Sequence, residues 1–211
     1  MFNLNSGKQW SAASLTKLLT AVVASESSGP DQMIKVSAAA IATESSAGNL
    51  VAGRSYTLEE LLRALLVFSS NDAAVAMAEH FGKENFIVLL NQKAGAMGMT
   101  NTRLFDPSGL SPLNLTTAED LMRLTRYLYD KHPNLLELTR ARFEGGTHPF
   151  AGQPDFLGGK TGFIDESAGN LISLFDYQGR PIVIIVLGSK QRAEDTQILK
   201  DWFLGGLTTN D

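Results

Sequence analysis

The amino-acid sequence predicts an α+β fold, in which an antiparallel sheet is flanked by helices and a mostly helical lobe is inserted into the chain. Apolar residues recur at helical spacing through the middle of the chain, from about residue 57 to residue 128. Two extended segments, 171–177 and 181–188, follow and are joined across 178–179, where Gln-Gly is a hairpin signal. Because helices and strands are segregated, the pattern disfavours an alternating parallel sheet.

Capping signals and breaks divide the helical middle of the chain. Residues 57–60 and 117–120 both match a capping box, in which the first side chain bonds the backbone of the fourth residue and the fourth reaches back. The polar segment 69–72 interrupts the first apolar run, and a new helix is expected after it. After Pro133 the helical pattern ends. Glycine pairs and single prolines there predict loops and tight turns as far as the first strand.

The last third of the chain predicts the sheet and a closing helix. The segment Ile182–Val186 is apolar at every position. A strand that is apolar on both faces is buried on both faces, so we expect this strand at the centre of the sheet. The chain then ends in an amphipathic helix that carries Trp202 and Phe203.

Composition excludes several classes of function. The 211 residues contain no cysteine, which rules out disulfides, thiolate metal sites and a cysteine nucleophile. The net charge is −4 and no run of lysine or arginine occurs, so no nucleic-acid partner is expected. The three histidines, His80, His132 and His148, show no metal spacing and are interpreted as structural or surface residues, so no metal site is predicted.

Nothing in the sequence predicts a membrane span or a signal peptide. The longest apolar run, Ile182–Leu187, is far shorter than the roughly 20 residues that cross a bilayer. The N-terminus has neither a charged n-region nor an apolar h-region.

The first motif with chemical potential is Ser14-Leu15-Thr16-Lys17. On a helix, positions three apart lie on one face, so the Ser14 hydroxyl and the Lys17 amine can touch. A serine hydroxyl is a weak nucleophile until a base lies beside it, and a buried lysine with a lowered pKa can be that base. Taken alone, the pattern also fits an exposed helix start with a solvated lysine.

Two further motifs follow in chain order. Ser69-Ser70-Asn71 falls at a helix break, where it can relay a proton and hold a substrate amide, or simply cap the next helix. Lys160-Thr161-Gly162 precedes an extended segment and offers a cation, a hydroxyl and a glycine that lets a ligand backbone approach closely. Its alternative interpretation is a surface hairpin.

Together the three motifs resemble the set shared by penicillin-binding proteins and class A β-lactamases. The flanking residues resemble those of the low-molecular-mass D-alanyl-D-alanine carboxypeptidases, from about residue 10 to about residue 204. The matching segments are 13–21, 69–74, 98–102, 106–110 and 160–166. The resemblance implies a β-lactamase/transpeptidase-like fold and one catalytic domain over residues 1–211. It would comprise a sheet lobe, 1–28 with 145–211, which includes the nucleophile helix, and a helical lobe, 29–144.

The resemblance also implies catalytic roles. Ser14 would attack a D-Ala-D-Ala carbonyl, Lys17 would be its base, Ser69 would pass a proton to the leaving amine, and Asn71 would organise the site. The backbone N–H groups of Ser14 and Phe163 would form the oxyanion hole.

Substrate binding is implied for Lys160, Thr161, Gly162 and Arg192. Lys160 would supply positive potential, Thr161 would bind the terminal carboxylate of the substrate, and Arg192 would assist it. The implied partners are peptidoglycan stem peptides ending in D-Ala-D-Ala, with β-lactams as covalent inhibitors and no cofactor. The implied location is extracytoplasmic, in the periplasm or cell wall.

Three alternatives stay open at this point. A class A β-lactamase would need a glutamate in a Glu-x-x-Leu-Asn pattern, but the nearest match, 110–114, has Leu110 in that position. A D,D-endopeptidase carries the same motifs as a carboxypeptidase. A non-catalytic module that senses β-lactams or muropeptides could dispense with Lys17 and Ser69, yet both are present. Only thirteen residues precede Ser14, so we expect either a sheet that is one strand shorter than is usual in the family or a sequence that begins after that strand.

Overall fold

The computed structural model describes residues 2–44 and 47–208, which form seven strands and eight α-helices. A 3-10 turn, Ala13–Leu15, separates the first strand from the first α-helix. In chain order the elements are β1 (Trp10–Ser11), α1 (Thr16–Ser27), β2 (Met33–Lys35), α2 (Ala38–Ile41), β3 (Ser55–Thr57), α3 (Leu58–Val67), α4 (Asn71–Phe81), α5 (Lys83–Ala96), β4 (Leu115–Thr116), α6 (Ala118–Lys131), α7 (Pro133–Arg140), β5 (Phe156–Ile164), β6 (Ala168–Tyr177), β7 (Arg180–Ser189) and α8 (Arg192–Thr208).

The helical core is built around α1. Nine consecutive residues of this helix, Thr16–Ala24, are buried. A helix that is apolar nearly all round must be enclosed on every side, and α1 contacts α3, α4, α5 and α6. The first turn of α1 therefore starts from a rigid position at the centre of the molecule.

The main sheet is antiparallel and has the strand order β5-β6-β7. The expected hairpin between residues 171–177 and 181–188 is confirmed as β6 and β7, which are longer than expected at ten residues each. Two-residue and three-residue antiparallel pairs, β1 with β4 and β2 with β3, lie outside this sheet.

The prediction that Ile182–Val186 lies at the centre of the sheet is wrong. Among the described strands β6 is central, and β7 lies at the edge with mostly half-buried residues. Its two faces are apolar because each packs against a different cluster: Val183, Ile185 and Leu187 pack against the helical core, while Ile182, Ile184 and Val186 pack with Phe175 and Leu199. Cover on both faces produces the same sequence pattern as a central position.

The sequence pattern does not predict α7, because Pro133 and the glycines that follow it indicate a loop. Proline is accepted in the first turn of a helix, where its missing N–H would have no partner, and Pro133 occupies that turn. Leu135 and Leu136 are buried, and α7 contacts β5. The helix therefore supports the strand that carries the third motif.

The capping predictions hold for one helix and in part for another. Thr57 accepts from the Glu60 N–H while the Glu60 carboxylate accepts from the Thr57 N–H, so the capping box is confirmed. At α6, Thr117 caps the Asp120 N–H, but the Asp120 carboxylate accepts from the Asn101 N–H and the Thr102 hydroxyl. The second capping box is therefore only half formed, since Asp120 serves the preceding loop.

Among the described residues, no helix combines the length and the apolar character that crossing a membrane requires.

Replacing the cap of α3 should destabilise the fold measurably. Thr57→Ala removes the acceptor for the Glu60 N–H, and we expect a loss of about 1 kcal/mol in the free energy of unfolding. Urea denaturation followed by circular dichroism measures this loss. Thr100→Ala, at an exposed threonine after α5, is the control and should change stability by less than about 0.5 kcal/mol. Equal stability of the two variants would contradict the prediction.

Candidate active site

Ser14 lies in a tight 3-10 turn that other segments approach very closely. Ala13, just before it, has a left-handed backbone with φ of 47°. A Cβ on Gly109 would lie 1.9 Å from the Ala13 carbonyl oxygen, and one on Gly162 would lie 3.1 Å from the Ala12 carbonyl oxygen. Glycine is therefore required at Gly109, where any side chain would collide with the turn, and it relieves the tighter packing at Gly162.

The hydroxyl of Ser14 contacts the amine of a buried lysine. Lys17 Nζ lies 2.7 Å from Ser14 Oγ and donates to the Ser108 carbonyl oxygen at 2.6 Å. Lys17 is 0% exposed, although lysine is almost never fully buried without a charged partner. Burial lowers the pKa of Lys17 to about 7, and the negative charge of Asp106 partly offsets this effect. A large fraction of Lys17 is therefore a neutral amine at neutral pH, and a neutral amine can accept a proton.

A second serine and a second lysine form a matching pair. Lys160 Nζ donates to Ser69 Oγ at 2.8 Å and to the Thr161 carbonyl oxygen at 2.9 Å. Ser69 has a φ of 61°, which is uncommon for a residue with a side chain. Burial, followed by the positive charges of Lys17 and Arg192, holds the pKa of Lys160 well below its usual value. The first and third motifs are thus close enough for their amines to repel each other.

The remaining predicted site residues surround these pairs. Thr161 Oγ1 donates to Thr147 Oγ1 at 3.0 Å. Arg192, in the first turn of α8, donates through Nη1 to the Gly162 carbonyl oxygen, and burial lowers its pKa. Phe163 is 60% exposed, so an apolar ring stands in solvent directly after the third motif.

The side chain of Asn71 is directed to a neighbouring loop. Its Nδ2 donates to the Glu44 carbonyl oxygen at 2.7 Å, while its buried Oδ1 has no hydrogen-bond partner among the described residues. The adjacent Ser70 caps α4 by accepting from the Ala73 N–H. The second motif therefore combines the helix cap that was the simpler interpretation with a serine that contacts Lys160.

The structure adds residues that sequence reasoning did not select. Asn170 donates through Nδ2 to the carbonyl oxygens of Ser11 and Ala12, which fastens β6 to the segment before Ser14. The Ser108 carbonyl and the Asp106 carboxylate lie in the segment 106–110, which resembles the family in sequence but received no predicted role in the site. No sequence signal shows which carbonyl of a turn faces a lysine.

The histidines contribute to packing. His148 is half-buried and contacts the Ile172 carbonyl oxygen at 3.0 Å; desolvation is the main cause that lowers its pKa to about 4. His132 contacts the Glu26 carboxylate, and His80 lies exposed near the end of α4. The described residues include no group of three or more histidine, aspartate and glutamate side chains that could hold a metal ion.

The α+β fold and the two serine–lysine pairs, each with a buried lysine, are the arrangement expected of a serine hydrolase. The chain belongs to the D-alanyl-D-alanine carboxypeptidase family of peptidases, whose sequence model matches residues 1–191. This assignment agrees with the family expected from the three motifs.

Individual relatives support the family and the fold. A D-alanyl-D-alanine endopeptidase of Pseudomonas aeruginosa is 30% identical over 218 residues, which covers 93% of this chain and 70% of that protein. The crystal structure of a D-alanyl-D-alanine carboxypeptidase from Mycobacterium tuberculosis is 26% identical with a TM-score of 0.85, covering 95% of this chain and 84% of that one. Penicillin-binding protein D2 of Listeria monocytogenes, solved in its ampicillin-bound form, is 27% identical with a TM-score of 0.78, covering 95% and 90%.

The pH dependence of serine acylation should report the protonation of Lys17. Because only the neutral amine can accept the Ser14 proton, the acylation rate should rise with pH and level off above the pKa of about 7. Below that pKa the rate should fall about tenfold per pH unit. The second-order rate of labelling by a fluorescent penicillin between pH 5 and pH 9 measures this profile.

Lys17→Arg is the matched variant, since it keeps a positive charge but does not lose a proton in this range. We expect it to lose at least about 10²-fold in rate at pH 8. A wild-type rate that is flat from pH 5 to pH 9 would contradict the assignment of Lys17 as base.

Proposed function

We propose that this protein is a serine-type D-alanyl-D-alanine carboxypeptidase, which removes the terminal D-Ala of peptidoglycan stem peptides through an acyl-enzyme on Ser14. The observation that carries the proposal is the 2.7 Å contact between Ser14 Oγ and the fully buried Lys17 Nζ. Membership of the carboxypeptidase family supports the same reaction.

Acylation begins when Lys17 accepts the Ser14 proton while Ser14 Oγ attacks the carbonyl of the D-Ala-D-Ala bond. The backbone N–H groups of Ser14 and Phe163 stabilise the oxyanion, and preorganised donors of this kind are typically worth about 3 kcal/mol each. The tetrahedral intermediate then collapses, the C–N bond breaks, and the leaving amine takes a proton. Ser69 delivers that proton, since its hydroxyl lies 2.8 Å from Lys160 Nζ and can be resupplied from it.

Positive charge selects a substrate with a free terminal carboxylate. Lys160 supplies potential from its buried position, the Thr161 hydroxyl donates to the carboxylate, and Arg192 assists from the start of α8. Gly162 lets β5 pack closely against the turn that carries Ser14, which keeps the third motif beside the nucleophile. A carboxylate bound here favours the charged form of Lys160, and the charge on Lys160 in turn disfavours protonation of Lys17.

Water then hydrolyses the acyl-enzyme: the attacking water passes one proton through Ser69 to Lys160, and Lys17 returns its proton to Ser14 Oγ as the acyl–oxygen bond breaks. Leu110 occupies the sequence position where a class A β-lactamase would have its water-activating glutamate. Penicillin should therefore acylate Ser14, and the resulting penicilloyl adduct should be hydrolysed slowly. We place the enzyme in the periplasm or cell wall because the stem peptides lie there.

A direct test combines peptide hydrolysis with intact-protein mass measurement. Wild-type protein should release D-alanine from a stem pentapeptide and should gain the mass of one penicillin after exposure to it. Ser14→Ala should lose both properties because the attacking oxygen is gone. Ser6→Ala, at a half-buried serine whose hydroxyl donates to the Glu119 carboxylate, is the control and should keep both. D-alanine release that persists in Ser14→Ala would refute the mechanism.

Endopeptidase activity is the second candidate, since the Pseudomonas aeruginosa relative is named an endopeptidase. Incubation of the wild type with a cross-linked muropeptide dimer distinguishes the two activities. Cleavage of the dimer without D-alanine release from the pentapeptide would favour the endopeptidase.

Recognition of the terminal carboxylate gives a further prediction. Wild-type enzyme should hydrolyse a peptide ending in D-Ala-D-Ala at least about 10-fold faster than the matching terminal amide, because charge-assisted hydrogen bonds are stronger than neutral ones. Arg192→Ala should reduce this ratio, measured as kcat/KM for the two peptides. Arg180→Ala, at an exposed position at the start of β7, should leave the ratio unchanged. An unaltered ratio in Arg192→Ala would remove Arg192 from the binding site.

A further inference from the structure

The turn 106–111 is organised by a single carboxylate. Asp106 Oδ1 accepts from the Ser108 N–H, the Ser108 hydroxyl and the Gly109 N–H, each at 2.7 Å, and from the Leu110 N–H at 3.3 Å. Asp106 Oδ2 accepts from the Ser111 N–H at 2.8 Å. These bonds to an ionised acceptor fix the backbone of the whole turn.

The turn is also tied to the helix that carries the nucleophile. Thr20 Oγ1, one turn beyond Lys17 on α1, donates to the Pro107 carbonyl oxygen at 2.7 Å. Asn114 Nδ2 donates both to the Asp106 carbonyl oxygen and to Thr16 Oγ1 on the same helix. The turn therefore cannot move relative to α1 without breaking buried hydrogen bonds.

The fixed turn presents the Ser108 carbonyl to Lys17. A carbonyl oxygen only accepts, so the 2.6 Å contact commits one N–H of Lys17 to Ser108. A neutral amine has two N–H bonds and one lone pair. With one N–H held by Ser108, rotation about the last side-chain bond is restricted, and the lone pair can be directed at the Ser14 hydroxyl 2.7 Å away.

We propose that Asp106 is a positioning residue for the general base: it shapes the 106–111 turn so that the Ser108 carbonyl orients the Lys17 amine toward Ser14. The inference rests on the proposed acyl-enzyme function. Asp106 does not touch the reacting atoms and acts through Ser108 and Lys17.

The charge of Asp106 has a further, measurable effect on the pKa of Lys17. Lys17 faces the Asp106 carboxylate of the turn and the Lys160 amine of β5, and Lys160 in turn is affected by the charge of Arg192 of α8. The charge of Asp106 raises the pKa of Lys17 against the effect of burial. Removing that charge lowers the pKa, so Lys17 stays neutral at lower pH and the acid limb of acylation moves to lower pH.

Two variants separate the charge from the positioning. Asp106→Asn keeps the size and one oxygen acceptor but loses the charge and the bond from the Ser111 N–H. Its acid limb for acylation by a fluorescent penicillin should move to lower pH, and its plateau rate should fall about 10-fold or more through misorientation of the base. Asp106→Glu keeps the charge but displaces the carboxylate, so its plateau rate should fall while its acid limb stays near the wild-type position.

Asp120→Asn is the matched control, because Asp120 is also a buried carboxylate that holds loop N–H and hydroxyl groups. It should lower thermal stability without moving the acid limb. The proposal is overturned if Asp106→Asn has the wild-type acid limb and loses rate only in line with its stability, as Asp120→Asn does. If Asp106→Asn does not fold, Asp106→Glu decides: a wild-type plateau rate in that variant refutes positioning. Failure of the proposed function is seen separately, as wild-type protein that takes no label or Ser14→Ala protein that does.

Discussion

The burial of Lys17 between the Ser14 hydroxyl and the Ser108 carbonyl is the interaction on which the rest of the site depends. A lysine with no exposed surface is unfavourable as a cation, so the fold shifts it toward the neutral amine. That same shift converts an ordinary side chain into a base. The enclosed helix α1, the 106–111 turn and β5 all contribute to removing water from this one nitrogen.

A second buried lysine, Lys160, is coupled electrostatically to Lys17. Because Lys17 and Lys160 repel each other, protonation of one disfavours protonation of the other. In the proposed mechanism, a proton accepted by Lys17 during acylation makes Lys160 more acidic at the moment when Ser69 donates to the leaving amine. An anionic substrate would favour the charged form of Lys160, and that charge would keep Lys17 neutral and able to accept the Ser14 proton. Coupled amines of this kind can move a proton without a histidine, although each titrates as part of a pair.

The sequence motifs could be predicted, whereas many of the contacts that position them could not. The order of the three motifs predicted the family, and capping and periodicity predicted α3, α4 and the β6–β7 hairpin. Helix α7 could not be predicted from Pro133, because proline occurs both where helices end and where they begin. The edge strand β7 packs against an apolar cluster on each face, so its sequence resembles that of a central strand. The division into a sheet lobe and a helical lobe stays a prediction.

The Ser108 contact could not be predicted because it is made by a backbone atom, which every residue type shares. Its position depends on Asp106, whose side chain fits equally well in an ordinary exposed turn. Gly109 is informative only once the Ala13 carbonyl is seen 1.9 Å from the place of its missing Cβ. Sequence identifies the groups that react, whereas backbone approach determines their orientation.

Backbone strain marks the same two positions where the chemistry is concentrated. Ala13 precedes the nucleophile with a φ of 47°, and Ser69 itself has a φ of 61°. Such conformations persist only when the surrounding structure fixes them, and they are a recognised cost of functional sites. Here Gly109 and Asn170 hold the segment around Ala13, and Lys160 holds Ser69. Two strained residues and two desolvated amines all reduce stability, so the apolar core around α1 must supply the free energy that keeps this reactive geometry folded.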